Sequence, residues 1–191
     1  MANSGNKITF GLKNVHVFKI ESTSEAGVPT YATTPIRLMG AVNLSMSASG
    51  DSSDFWADDV DYYKTVANNG YDGSLEVAMV GDDFFTDIMG EVVSQSGTRF
   101  ENSDVQPAEF AMSFEFSGDI KHTRHCFLRC KASRPDVASQ TKEASITPQT
   151  QTLNLTAMAR LDNNMVKAKC YEGDADYADW FKSVPEYVPA N

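Results

Sequence analysis

Apolar and polar side chains alternate with a period of two along most of this chain. In the run 110–116, Phe and Met occupy one parity, and Ala, Ser and Glu occupy the other. The runs 36–46 and 153–161 alternate in the same way. Because successive side chains of a strand point to opposite faces, each run predicts a strand with one face in a core and the other in water or against a partner. The pattern predicts a mainly β protein.

Turn residues separate these runs and predict two hairpins. Gly118-Asp119 lies between the run 108–117 and a predicted strand over Arg124–Ala132, which favours a hairpin. Asn163-Asn164 follows the run 152–161 and predicts a tight hairpin with the next segment, because Asn tolerates positive φ.

The remaining strands and connections are less sharply marked. Asn69-Gly70 precedes a predicted strand over Ser74–Val80, and the first strands are expected within 7–20. We expect a loose connection over 21–34. A Ser-, Thr- and Gln-rich stretch over 133–151 predicts a long surface connection.

One segment departs from the period of two and predicts a short helix over about 82–92. Asp82 or Asp83 would be a good N-cap, and the apolar residues after them recur at helical spacing. Because a helix of about ten residues is not stable alone, its apolar face must pack on the sheet. The residues expected to do so are Phe84, Phe85, Ile88 and Met89, followed by Val92.

Length, composition and charge narrow the classes of protein. A chain of 191 residues with 41% hydrophobic residues favours one folded domain. Its net charge of −10 disfavours binding to nucleic acid or anionic membranes. The sequence shows neither a signal-peptide pattern nor an apolar run near the length of a membrane span. Three cysteines favour reduced thiols in a cytoplasmic product.

The composition changes near residue 173, so we divide the chain into a β domain over 1–172 and an acidic, aromatic arm over 173–191. Tyr177, Trp180 and Phe181 lie close together in the arm. Large aromatic side chains are costly to expose, which favours an arm that docks on a neighbouring subunit. A frayed end is the alternative.

Metal sites are disfavoured by spacing. His122, His125, Cys126 and Cys130 lie in the predicted strand region, where the two cysteines would be about 13 Å apart. A tetrahedral zinc site needs its ligands to converge, so buried structural cysteines are the better interpretation. The aspartates around 51–61 fail the EF-hand pattern, which favours a solvated acidic face and leaves an irregular cation site open.

Enzymatic signatures are absent from the sequence, and we expect no catalytic residues, no cofactor and no enzymatic activity. The chain contains no G-x-S-x-G elbow, P-loop, H-E-x-x-H or Rossmann glycine pattern. Glu76 and Glu115 leave a carboxylate pair of the glycosidase kind open.

The acidic loop over 49–62 is the strongest candidate for a binding surface. Aromatics are enriched at interface hot spots, so this loop is expected to contact a partner surface. Folding back as a lid over its own core is the alternative. The candidate contact residues are Asp51, Asp54, Phe55, Trp56, Asp58 and Asp59.

Several blocks of sequence, in order, resemble the major tail proteins (tail tube proteins) of long-tailed, non-contractile bacteriophages. They are ITFGLKNVHVFKI, PIRLMGAVNLSMSASGDSSDFWADDV, NNGYDGSLEVAMVGDDFFTDIMGE, FAMSFEFSGD, RCKASRP and KEASITPQTQTLNLTA. The resemblance implies a β-sandwich with one flanking helix, which assembles into hexameric rings that stack into a hollow tube. It also implies a virion protein made in the host cytoplasm, with DNA passing through the lumen without specific binding and with no membrane contact. The implied partners are other copies, a tape-measure protein, and distal tail and tail terminator proteins.

Two rival interpretations stay open. A carbohydrate- or ligand-binding β-sandwich could use Trp56 and Tyr62-Tyr63 as a stacking platform. A tube protein of a contractile tail or of a type VI secretion machine would share the tail-tube fold.

Overall fold

The computed structural model describes residues 8–141 and 148–189, and within them the chain is mainly antiparallel β with one short helix. Helix α1 begins as an α-helix at Asp82–Phe84 and continues as a π-helix over Phe85–Met89. A 3-10 helix covers Ala175–Asp179. The described strands are β1 Leu12–Thr23, β2 Pro29–Tyr31, β3 Ile36–Leu38, β4 Ala41–Ala48, β5 Ser52–Ala57, β6 Val60–Val66, β7 Tyr71–Val77, β8 Val92–Val93, β9 Arg99–Phe100, β10 Phe110–Phe116, β11 Arg124–Ala132, β12 Gln151–Ala157 and β13 Lys167–Cys170.

One large sheet contains most of these strands, in the order β2-β1-β10-β11-β12-β7-β4. In addition, β3 pairs with β1, and β13 pairs with β11. Because β3 and β4 follow each other in the chain, one segment links the β1 side of the sheet to its β7 side. The sheet therefore curls around a core that includes Val17, Leu75 and Phe110.

The run 36–46 forms two strands instead of one. Gly40 has φ 73°, and a Cβ there would lie 2.7 Å from that of Ala78, so the chain turns where only glycine fits. A register shift follows between Ala41 and Asn43. Val42, expected in the core, is consequently 54% exposed.

Strand β10 is buried on both faces, contrary to the alternating pattern. Phe110 and Met112 face the main core, while Ala111 lies in a second core with Phe18 and Trp180. The C-terminal segment supplies Trp180, so it covers the face that the pattern assigned to water or a partner.

Helix α1 is shorter than expected. Gly81 is its N-cap and makes no side-chain cap hydrogen bond, so Asp82 and Asp83 lie in the first turn instead. The helix ends at Gly90, whose φ of 77° is left-handed. The expected continuation to Val92 is wrong, because Val92 belongs to β8.

The first predicted hairpin is confirmed and the second is wrong. Strands β10 and β11 pair as antiparallel neighbours, with Phe110 opposite Cys130. The Asn163-Asn164 turn forms, but it does not join two paired strands. Strands β12 and β13 both pair with β11, at successive positions along it, so the turn is an excursion between them.

Smaller differences lie near the ends of elements. The connection over 21–34 contains β2, which pairs with the end of β1. Strand β7 begins three residues before the predicted Ser74. Lys7 in the predicted first strand, and 142–147 in the predicted surface connection, lie outside the described residues.

Candidate assembly surfaces

The acidic segment forms a two-stranded ribbon where a loop was expected. Strands β5 and β6 pair with each other and with no other described strand. Backbone hydrogen bonds from Ser49 to Gly70, Asn69 to Ser49 and Ala67 to Asp51 join this pair to β4 and β7. Residues 41–77 thus make one long hairpin. Its inner half lies in the sheet, and its outer half, the ribbon (residues 51–67), projects about 20 Å beyond it.

Two residues with positive φ close the ribbon. Asp58 and Asp59 have φ of 53° and 61°, and Ala57 pairs with Val60 on either side of them. Positive φ at both central residues is the conformation of a type I′ hairpin turn, which Asp tolerates. The signal was therefore present in the sequence as a two-residue Asp turn flanked by two β-rich segments.

The ribbon exposes its large side chains. Phe55 and Trp56 are 62% and 64% exposed, and Tyr62 and Tyr63 are 71% and 63% exposed. The alternative of a lid over the protomer's own core is therefore wrong for Phe55 and Trp56. An isolated two-stranded ribbon is at best marginally stable in water, so these aromatics favour a partner surface.

The acidic side chains of the ribbon are not grouped as metal ligands would be. Among the described residues, no group of three or more His, Cys, Asp or Glu side chains is arranged to hold a metal ion. Asp54 pairs with Lys64 across the ribbon at 2.9 Å. No ion pair in the described part of the chain involves Asp51, Asp58, Asp59 or Asp61, so the ribbon presents uncompensated negative charge.

A polar sheet face lies at the base of the same hairpin, on the outer side of β4, β7 and β12. Its side chains form rows across the three strands, and the only carboxylates in these rows are Asp72 and Glu76. Lys131 of β11 is aligned with the last row, and an open groove of about 660 Å³ follows this edge. The rows are Asn43–Glu76–Thr152, Ser45–Ser74–Asn154 and Ser47–Asp72–Thr156.

The C-terminal arm docks on its own sheet. Trp180 is 3% exposed, and its indole Nε1–H donates a hydrogen bond of 3.2 Å to the carbonyl of His125. Tyr177 and Phe181 are half-buried beside the same core. Burial within the protomer leaves almost none of Trp180 for a neighbouring subunit, while contact of Tyr177 and Phe181 with a neighbour stays a prediction.

Arg124 holds the first half of the arm. Its guanidinium lies 3.7 Å from the ring centroid of Tyr177 and 4.7 Å from that of Phe181. Its Nε donates to Glu115 at 3.0 Å, and Nη1 donates to the carbonyl of Tyr177. Glu115 is thus buried and paired, so it has no free carboxylate to offer to a catalytic pair with Glu76.

Arg160 holds the second half. It donates two hydrogen bonds to Asp162, of 2.9 and 2.7 Å, and one of 2.8 Å to Glu186. Its side chain is 1% exposed. Burial lowers the pKa of Arg160, but the hydrogen bonds to the two carboxylates outweigh this effect and raise it above its ordinary value.

The three cysteines are buried and unpaired, as expected. Burial raises the pKa of Cys126 to about 12 and that of Cys170 to about 11, and it also raises the pKa of Cys130. Burial lowers the pKa of His125, and the nearby Lys167 adds to this effect. These thiols are protonated and inert near neutral pH.

The predicted helix-packing residues meet in one place. Phe84 and Ile88 are fully buried in the main core, Met89 is 8% exposed, and Phe85 packs against the same core. No helix in the described ranges is long and apolar enough to cross a membrane.

Comparison with solved structures gave a weak structural similarity. No family model and no curated protein matched the sequence. The structure titled "Cryo-EM structure of the anti-feeding prophage (AFP) baseplate, 6-fold symmetrised" contains a chain similar to this one, with a TM-score of 0.42 and 11% identity. The similarity covers 87% of this chain and 97% of that chain. With so low an identity and TM-score, function has to be inferred from the geometry of this chain.

Proposed function

We propose that this chain is the tube-forming subunit of a phage-type tail, in which hexameric rings stack into a hollow tube that conducts DNA. The observation that carries the proposal is the long hairpin of residues 41–77. Its inner half supports a wide polar face, and its outer half is a projecting ribbon with exposed aromatics. The sequence blocks that resemble major tail proteins support the same function.

The ribbon is the proposed contact between subunits. A heterologous contact, in which one surface of a copy binds a different surface of the next, generates rings and stacks. Large apolar side chains projecting from a separate element suit such a contact, because they gain burial only when another copy is present.

The polar face of β4, β7 and β12 is the proposed channel wall. Hydroxyl and amide side chains dominate its rows, with Asp72 and Glu76 as acidic groups. The three rows carry no basic side chain, and Lys131 and Arg134 lie only in the groove at their edge, so DNA would pass without specific binding. Most of the chain's negative charge lies elsewhere. Within the wall itself, only these two carboxylates would repel the phosphates of DNA.

Electron microscopy of the purified protein at high concentration tests the proposal. Rings with a central hole, or hollow tubes, are the expected result. A protein that stays monomeric at every concentration, measured by analytical ultracentrifugation on the same sample, would refute it. Partner addition extends the test: a tape-measure, distal tail or tail terminator protein should associate with the assembled form.

A ribbon variant links the assembly to the proposed contact. Phe55→Ser/Trp56→Ser should abolish tubes, while the melting temperature stays unchanged because both side chains are exposed in the protomer. Tyr187→Ser, which removes an aromatic side chain that is 60% exposed in the arm, is the matched control and should still form tubes. Tubes of normal length from the double variant would show that the ribbon is not the contact.

The rival functions predict different results from the same sample. A carbohydrate-binding module would be a monomer whose ribbon aromatics bind sugars, measurable by calorimetry with an oligosaccharide panel. A tube protein of a contractile tail or type VI machine would also form tubes, and would be distinguished by binding to a sheath protein.

A further inference from the structure

An apolar and basic surface lies at one end of the sheet, at the turn between β10 and β11. Phe10 covers Gly118, since a Cβ there would lie 2.3 Å from the Phe10 ring. Ile120 follows in the same turn, and Phe10 and Ile120 are 62% and 65% exposed. Nothing in the composition or periodicity of the sequence indicated this surface.

Two lysines complete this surface. The Nζ atoms of Lys121 and Lys169 each lie 5.5 Å from the ring centroid of Tyr171, one from the turn and one from β13. We define the end patch as Phe10, Ile120, Lys121, Lys169 and Tyr171.

The two lysines of the end patch lie outside the ion pairs of the described residues. Lys169 instead hydrogen-bonds Tyr171, which raises the pKa of the lysine. Three acidic side chains beside the patch have other partners. Glu172 lies 3.8 Å from His122, Asp174 accepts the backbone N–H of Tyr171, and Asp119 accepts that of Lys121.

We propose that the end patch is the receptor for the ribbon of a second copy of this chain. The two surfaces are complementary in two respects. The ribbon offers exposed aromatics and four aspartates outside the described ion pairs, and the patch offers exposed apolar side chains and two lysines outside those pairs. Both surfaces are uncovered in the same protomer, so the ribbon does not bind its own patch.

The complementarity explains how one chain can be strongly acidic and still associate with itself. At a net charge of −10, copies repel each other on average. A basic patch that meets an acidic ribbon removes this repulsion at the contact and fixes which surfaces meet. The inference rests on the proposed function, since it names the partner surface of the ribbon.

Reciprocal charge reversal tests the pairing. Asp51→Lys/Asp61→Lys on the ribbon and Lys121→Glu/Lys169→Glu on the patch should each lower the assembled fraction by about tenfold or more, because like charges then meet at the contact. The four substitutions together should restore assembly. Glu21→Lys/Glu25→Lys makes the same change of net charge as the ribbon variant, at exposed positions near the far end of β1, and should assemble normally.

Sedimentation and electron microscopy report the outcome, with circular dichroism to show that each variant is folded. If the wild-type protein assembles and the fourfold variant is no better than either double variant, the pairing is wrong and the proposed function stands. If the patch variant assembles as the wild type does, the pairing is wrong as well.

A cross-link separates failure of the pairing from failure of the proposed function. One protein carrying Ser53→Cys is mixed with a second protein carrying Ile120→Cys, and the mixture is treated with a short bismaleimide. The native thiols are buried and should not react. A heterodimer that forms only in the mixture supports the pairing even if no tube is seen. Absence of both tubes and cross-link would overturn the two proposals together, and tubes without the cross-link would overturn the pairing alone.

Discussion

At the scale of single residues, two arginines decide where the C-terminal arm lies. Arg124 stacks between two aromatic rings of the arm and pairs with Glu115, and Arg160 binds Asp162 and Glu186. A buried guanidinium is tolerated only when its charge is paired and its donors are used. Each arginine combines a carboxylate close in the sequence, Glu115 or Asp162, with a partner in the distant arm, Tyr177 or Glu186.

The Arg160–Asp162 pair makes stability depend on pH. The hydrogen bond from Arg160 lowers the pKa of Asp162 below its ordinary value of 3.8. A depressed carboxyl pKa contributes stability above the unfolded pKa, and this stability is lost as the pH falls through the folded pKa. Asp162→Asn should therefore lower the melting temperature at pH 7 and flatten its decline below about pH 4.

Melting curves between pH 2 and 7 measure this effect. Asp136→Asn, at an exposed site, is the control and should follow the wild-type curve. An acid decline for Asp162→Asn as steep as that of the wild type would contradict the assignment.

The cysteines give a second prediction at this scale. Because burial raises the pKa of Cys126 to about 12 and that of Cys170 to about 11, both thiols stay protonated at pH 8. A thiol reagent should leave the folded protein unmodified, whereas all three cysteines should react in denaturant. Fast modification of the folded chain, detected by mass spectrometry, would show that the arm opens readily.

At the scale of elements, helix α1 depends on its last glycine. The backbone N–H groups of both Gly90 and Glu91 reach the carbonyl of Phe85, which closes the π-turn through the left-handed conformation of Gly90. Gly90 also lies against Val105, because a Cβ at residue 90 would be 2.4 Å from its Cγ1. The glycine thus serves both the turn and the packing.

Gly90→Ala should destabilise the protein by about 2–3 kcal/mol, since positive φ and the contact with Val105 both oppose a side chain. Gly97→Ala is the control for φ alone, because Gly97 has φ 84° and open space around it. It should cost only about 1 kcal/mol. Urea unfolding measures both, and Val105→Ala in the Gly90→Ala background should recover part of the loss. Equal costs for the two alanine variants would exclude the steric contribution.

At the scale of the whole molecule, the long hairpin of residues 41–77 separates two tasks. Its inner half is held by pairing with β12 and by the main core, while the strands of the ribbon pair only with each other among the described strands. A rigid wall and a separate contact element suit an assembly whose subunits join without refolding.

The proposed channel wall predicts how DNA responds to its charge. Ser45→Lys/Ser74→Lys/Asn154→Lys places three positive side chains in the central row and should make assembled tubes retain DNA in a salt-dependent manner. Asp72→Asn/Glu76→Gln should slow DNA delivery by a smaller amount. Tubes should still form in both cases, because the face lies outside the core.

Cosedimentation of DNA with assembled tubes at several salt concentrations, and ejection kinetics from particles carrying the variants, measure these effects. Lysines at Glu21 and Glu25, which shift the net charge by +4 against +3 for the three wall lysines, serve as the control for charge placed away from the wall. DNA association that is unchanged by the three lysines would show that this face does not line the channel.

The sequence by itself determined the local structure. Alternation gave strand 110–116, turn residues placed the hairpin before Arg124–Ala132, and apolar spacing located the short helix, because these signals depend only on neighbours in the chain. Tertiary structure decided the rest. The arm turned the second face of β10 into a core, β11 paired with both β12 and β13, and side chains from separate segments met in the end patch. Each of these outcomes depends on which distant segments pack together. The alternation of apolar and polar residues within one segment does not specify which other segment will pair with it or cover it.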